Sequence, residues 1–225
     1  MFKPTASQGF KVFARPAGDL GRSNMDDRQT APSGRDDTEA MVGVLVADGP
    51  HRRHAGALLL YGRLVGSWEV DNRYLDQRDG HWHQVRAAWH FGWILDGLGV
   101  QDVLVGPAQA DQEGQRGIGT TVRVYDRRID AWRVSWFGAT SGEFCTLIGR
   151  PDGEGILQEG SGTDGRPIRW RFSEISPESF RWQGLVSDDG GATWRLEQEM
   201  RGRRQRPTPA AAGSVPSQSG HGPTG

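Results

Sequence analysis

His90 and Asp102 form an acid–base pair at the sequence level. An imidazole that titrates near neutrality and a carboxylate on the next predicted strand are the minimum for proton transfer. Arg123 and Tyr125, two residues apart, share one strand face and offer a planar guanidinium fork beside a phenol hydroxyl, which suits a polar or acidic ligand group. The third feature is apolar. All 9 Trp of the 225 residues lie between Trp68 and Trp194, more than a core of this size requires, and Trp68, Trp89, Phe91 and Trp136 are expected to wall an aromatic-lined cavity.

Other chemistry is thinner. His81, His83 and His90 share a predicted strand and are expected to face away from Trp89, Phe91 and Trp93, as surface histidines without the further ligand and support that a metal site needs. No metal is expected. Cys145 is the single cysteine, which excludes an intramolecular disulfide and a Cys-rich zinc site, and it reads as a small buried filler. No phosphate-binding or dinucleotide-binding glycine motif precedes a helix. Ser187-x-Asp189-x-Gly191-x-Thr193-Trp194 matches an Asp-box hairpin; in one copy it reads as a local turn device, with Asp189 accepting from turn amides.

Composition narrows the function classes. There are 27 Lys plus Arg against 28 Asp plus Glu, a formal net charge of −1, which argues against a general nucleic-acid binder. No run approaches the roughly 18 apolar residues of a membrane span, and no secretory signal is evident; a cytoplasmic location is expected. Residues 1–54 and 203–225 lack Trp and are rich in Gly, Pro, Ser, Asp and Arg, so they are expected to be a disordered leader and tail around a domain at 55–202.

Within that domain the period changes once. Ala57, Leu58, Leu60, Tyr61, Leu64 and Val65 recur at helical spacing, and Gly66 is placed to stop the helix. Alternation of period two then begins. An Asp79-Gly80 hairpin would set Trp68 opposite Phe91, Val70 opposite Trp89 and Tyr74 opposite Val85, placing both apolar rows on one face. On β-like stretches farther on, Arg169 and Arg171 are expected to face solvent, as is the polar row Glu197, Glu199 and Arg201. The turn signals between these stretches divide the chain into about ten strands with no crossover helix, hence an all-β, closed antiparallel up-and-down barrel with a short N-terminal helix.

The helix followed by Gly66-Ser67-Trp68 resembles the Gly-x-Trp opening of calycin barrels, the superfamily of lipocalins and fatty-acid-binding proteins. Trp89-His90-Phe91-Gly92-Trp93, Gln101-Asp102-Val103, Arg123-Val124-Tyr125-Asp126 and Ser187 to Trp194 resemble a bacterial lipocalin-like family of unknown function. This implies a small barrel with an internal cavity, and the fatty-acid-binding barrels imply that Arg123 and Tyr125 hold a ligand carboxylate. The glycine-rich extension of haem-carrying relatives is missing after Trp68, so no cofactor is expected. Three readings follow: a binding barrel for a small apolar or aromatic molecule bearing an acidic or polar group; a non-redox cyclase or isomerase using His90 with Asp102 or Tyr125; or a filled barrel acting through its tails and surface. The partner is a small molecule rather than nucleic acid or membrane, and a homodimer is allowed for.

Overall fold

The computed structural model describes residues 34–77, 79–108 and 116–205. Helix α1 (Gly34–Leu45) leads into a two-residue strand β1 (Val46–Ala47); a 3-10 turn (Arg52–His54) then runs into helix α2 (Ala55–Gly62). Ten strands follow: β2 (Gly66–Leu75), β3 (Trp82–Ile94), β4 (Gly99–Ala108), β5 (Arg116–Asp126), β6 (Ala131–Gly138), β7 (Glu143–Asp152), β8 (Gly155–Ser161), β9 (Pro167–Ser173), β10 (Ser179–Val186) and β11 (Arg195–Arg204).

Each of these strands pairs antiparallel with its sequence neighbour, and β11 returns to β2, closing the barrel. Closure leaves none of the ten with a free edge along its whole length. β1 pairs with β3 at Trp93 and Ile94, beyond the point where β2 has left that edge.

Residues 34–54, expected to be unstructured, therefore carry a helix, a strand and a 3-10 turn, and β11 runs through Arg203 and Arg204. The segments 1–33 and 206–225 lie outside the described residues.

α2 ends at Gly62, earlier than its apolar spacing suggested, because Leu64 and Val65 turn back to bond Tyr61 and Gly62 carbonyls. Gly66 instead opens β2 at φ 130°, where a Cβ would lie 2.3 Å from the Arg204 guanidinium. That arginine stacks on Trp68 at 4.0 Å and donates to the carbonyls of Val65 and Arg63 at 2.8 and 3.2 Å. One side chain thus ties the last strand to the link between α2 and β2.

The first hairpin is longer than expected. Trp68 faces Trp89, Val70 faces Ala87 and Tyr74 faces His83, a register two residues from the expected one. Asp79 closes a wider turn by accepting from the His81 amide at 2.8 Å and bonding His83 at 2.9 Å, while Asp76 pairs with His81. Because side chains alternate with period two, a slip of two leaves both apolar rows facing inward.

β11 carries a second correction. The register with β10 shifts between Gly184 and Leu185, leaving Glu197 as the extra residue. The bulge turns Glu197 into the barrel end, where it is 4% exposed, while Glu199 and Arg201 stay on the outer face as expected. Arg169 and Arg171 do lie outside, alternating with buried Ile168, Trp170 and Phe172.

In the turn between β10 and β11, Asp189 accepts from the Thr193 amide and hydroxyl at 2.8 and 2.6 Å and from the Ser187 hydroxyl at 2.8 Å. The Thr193 bonds above all hold its carboxyl below the ordinary carboxylate range. A depressed native pKa stabilises the fold above the unfolded value and loses that contribution as pH falls towards the native one. Asp189→Asn should therefore melt below the wild type at neutral pH, with the gap narrowing below about pH 4. A gap unchanged on acidification in paired thermal melts would show that ionisation of Asp189 is not involved.

Candidate ligand-binding interior

α2 seals one end of the barrel. Leu58, Tyr61 and Leu64 are fully buried there, and the Tyr61 ring meets Trp132 edge-on at 4.8 Å. A side chain at Gly149 would strike the Tyr61 hydroxyl at 2.2 Å, so the bare backbone of β7 makes room for it. Burial drives the Tyr61 phenol above its ordinary range, with the Arg123 charge opposing the shift.

Below this stopper the interior is a continuous aromatic stack. Trp89 lies 4.9 Å from Phe91, 5.7 Å from Phe172 and from Phe180, and 6.3 Å from Trp182. Trp68 meets Phe180 edge-on, its indole N–H donating to the Leu64 carbonyl at 2.7 Å, while Trp170 lies between Trp136 and Trp182.

Two charges sit inside this apolar volume. Arg123 donates to Asp102 at 2.5 Å with side chains 1% and 0% exposed, and Asp102 also accepts from the Thr121 amide at 3.2 Å. The guanidinium lies 5.2 Å from the Tyr61 ring and 5.6 Å from Phe91. Among the described residues its Nε–H has no hydrogen-bond partner, nor does the Trp89 indole N–H or either amide atom of Gln158. Buried donors are ordinarily satisfied, so this cluster is the chemically distinctive part of the interior.

Little empty volume remains. A void of about 10 Å³ lies between Trp89, Thr121, Arg123, Trp136, Trp170 and Trp182. That is about the space one water needs. A second void, about 30 Å³, occupies the end opposite α2, between Glu143, Cys145, Arg166, Trp170, Glu197 and Gln198. Trp170 borders both. Cys145 is buried as expected, and desolvation together with Glu143 pushes its thiol up to about 12.

Trp68, Trp89, Phe91, Arg123 and Trp136 thus come together inside the barrel. Tyr125 does not join them. It faces Trp132 across the hairpin, as the shared face with Arg123 required, but its hydroxyl donates to Asp130 at 2.5 Å at the α2 end. His90 and Asp102 are also separated. Asp102 stands opposite Phe91 on the inward face, whereas His90 faces out and is hydrogen-bonded to the Ser67 hydroxyl at 2.9 Å. Neighbouring positions on paired strands share a sheet face only when their parity agrees, and here it does not.

The three histidines do not share a face either. His83 has the parity of Trp89 and stacks on Tyr74 at 5.6 Å, and His81 lies in the turn. Asp76, Asp79 and His83 bring potential metal-ligand atoms within 4.8 Å of one another, although His83 and Asp79 already bond each other. The partner of Arg123 was missed, and a signal for it exists: Val100, Asp102 and Leu104 form one inward row in which the carboxylate interrupts two apolar residues. Trp170, Trp182 and Gln158, inward on β9, β10 and β8, were not among the expected wall residues, although Trp170 follows from the outward setting of Arg169 and Arg171.

The fold and site define a closed, ten-stranded, up-and-down antiparallel barrel with an ion pair in an aromatic interior. No protein-family model and no curated protein matches the chain. Among solved structures it is similar to a redesigned β-barrel (15% identity, TM-score 0.37, covering 65% of this chain and 96% of that one). It is also similar to the S-type phycobiliprotein lyase CPES from Guillardia theta (12%, TM-score 0.44, 66% and 92%) and to EF1p2_mFAP2b bound to DFHBI (16%, TM-score 0.33, 67% and 100%). None of the described helices is long and apolar enough to cross a membrane.

Proposed function

We propose that the barrel binds a small, flat, mainly apolar molecule carrying a neutral hydrogen-bond acceptor. The carrying observation is the pair of unpartnered donors, Arg123 Nε–H and Trp89 N–H, both buried beside the inner void. Each such donor is destabilising until it meets an acceptor. An acidic group fits less well than the resemblance implied, because Asp102 already neutralises Arg123 and a second carboxylate would be an uncompensated buried charge. Uptake would run from the end opposite α2, where Trp170 borders both voids, and would displace interior side chains, because the voids hold only about 30 and 10 Å³. The acid–base reading loses its pair, His90 and Asp102 lying on opposite faces.

The test is native mass spectrometry of the protein from its own host, with released molecules identified from the same sample. A stoichiometric organic ligand whose release lowers thermal stability is expected; a ligand at 100 times its Kd contributes about 2.7 kcal/mol. Empty protein that also shows no thermal shift across a metabolite panel would overturn the reading and favour a barrel filled by its own side chains.

A further inference from the structure

Outside the barrel, at the α2 end, three chain segments far apart in sequence converge on a groove of about 700 Å³. They are the 3-10 turn with His51, Arg53 and His54, the β3–β4 turn with Leu98, and the β5–β6 hairpin with Arg127, Arg128 and Arg133. The first is pinned to the second. The His51 amide donates to the Gly97 carbonyl at 3.1 Å, and a side chain at Gly97 would lie 2.1 Å from the Gly49 carbonyl oxygen. The first also meets the third, with the His54 ring 6.2 Å from Tyr125 and 6.0 Å from His51.

The groove has four guanidinium groups against one carboxylate, Asp126, in a chain whose net charge is only −1. Asp126 is already committed, accepting from Arg128 at 3.2 Å and from Arg133 at 2.8 Å. Arg53 and Arg127 have no carboxylate partner among the described residues. His54 registers the resulting field, its protonation being held down by desolvation first and then by Arg127, His51 and Arg53.

We infer that this groove is a binding site for a compact, multiply charged oxyanion of the phosphate-monoester or pyrophosphate class. Two uncommitted guanidiniums, Arg53 from the 3-10 turn and Arg127 from the β5–β6 hairpin, supply the forked donors that such oxygens accept, and the imidazoles add N–H groups. A long polyanion fits worse. Its binding needs a basic track extending beyond one groove, whereas Asp96 and Asp130 stand in the same two turns that supply Leu98 and Arg127.

The experiment is calorimetric titration of the full chain with inorganic pyrophosphate at fixed ionic strength. The wild type should show saturable one-to-one binding, weakened at least about tenfold in Arg53→Gln/Arg127→Gln and changed by less than about twofold in Arg86→Gln, an exposed arginine on the outer face of β3. The His54 ring resonances should move on saturation. Absence of saturable binding, an equal loss in Arg86→Gln, or tighter binding of a single-stranded oligonucleotide than of pyrophosphate would each overturn the assignment. All the altered side chains lie on the surface, and circular dichroism checks that the variants fold.

Discussion

Asp102→Ala should lower the free energy of unfolding by about 3–5 kcal/mol, read from urea denaturation followed by tryptophan emission. Among the described residues this carboxylate is the sole counter-charge of Arg123, and both side chains are withdrawn from water. Removing it leaves a guanidinium in an aromatic interior that cannot solvate it. The same logic predicts recovery. Asp102→Leu/Arg123→Met should regain most of the loss, because an apolar pair of similar volume avoids both desolvation penalties. For contrast, Arg203→Ala breaks a 2.9 Å pair with Asp71 on the exposed outer face and should cost no more than about 1 kcal/mol. If the double variant is no more stable than Asp102→Ala, the loss comes from packing rather than from an unpaired charge.

Trp68→Ala should cost about 3–5 kcal/mol, as expected for deleting a fully buried indole. Three contacts are lost together: the edge-on contact with Phe180, the indole bond to Leu64 that fixes the chain leaving α2, and the stacking surface for Arg204. Trp68→Phe keeps most of the ring volume and loses the hydrogen bond, so it should fall between wild type and alanine. Beyond the stability loss, Trp68→Ala should expose the amides of α2 to hydrogen exchange more than those of β6 and β7. Uniform acceleration across all strands would instead mean that Trp68 supports the barrel as a whole and has no special tie to the stopper.

The two variants probe different levels of legibility. Trp68 was legible from sequence because its evidence is local: a helix-spaced apolar run, a glycine, and the first inward position of an alternating row. The ion pair was not. Arg123 and Asp102 are 21 residues apart, and their contact is diagonal between strands, since Asp102 lies opposite Thr121 and Arg123 opposite Val100. His90 was matched with Asp102 on adjacency alone. Adjacency in a meander fixes which strands neighbour each other, whereas the face depends on parity: His90 alternates with inward Trp89 and Phe91, while Asp102 sits in the inward row of Val100 and Leu104.

Alternation and turn residues by themselves determined the strand succession, the inward rows of β2 and β3, and the closed all-β class. Those features depend on period two, and the inward rows survive the two-residue slip in the first hairpin. Tertiary structure alone decided four things: the inward turn of Glu197 at a bulge, the pairing of Arg123 with Asp102, the stacking of the inner tryptophans around two small voids, and the gathering of Arg53 with Arg127 outside the barrel. Each depends on distances between segments distant in the chain. Close packing and low-dielectric burial act on those distances, and local pattern does not encode them.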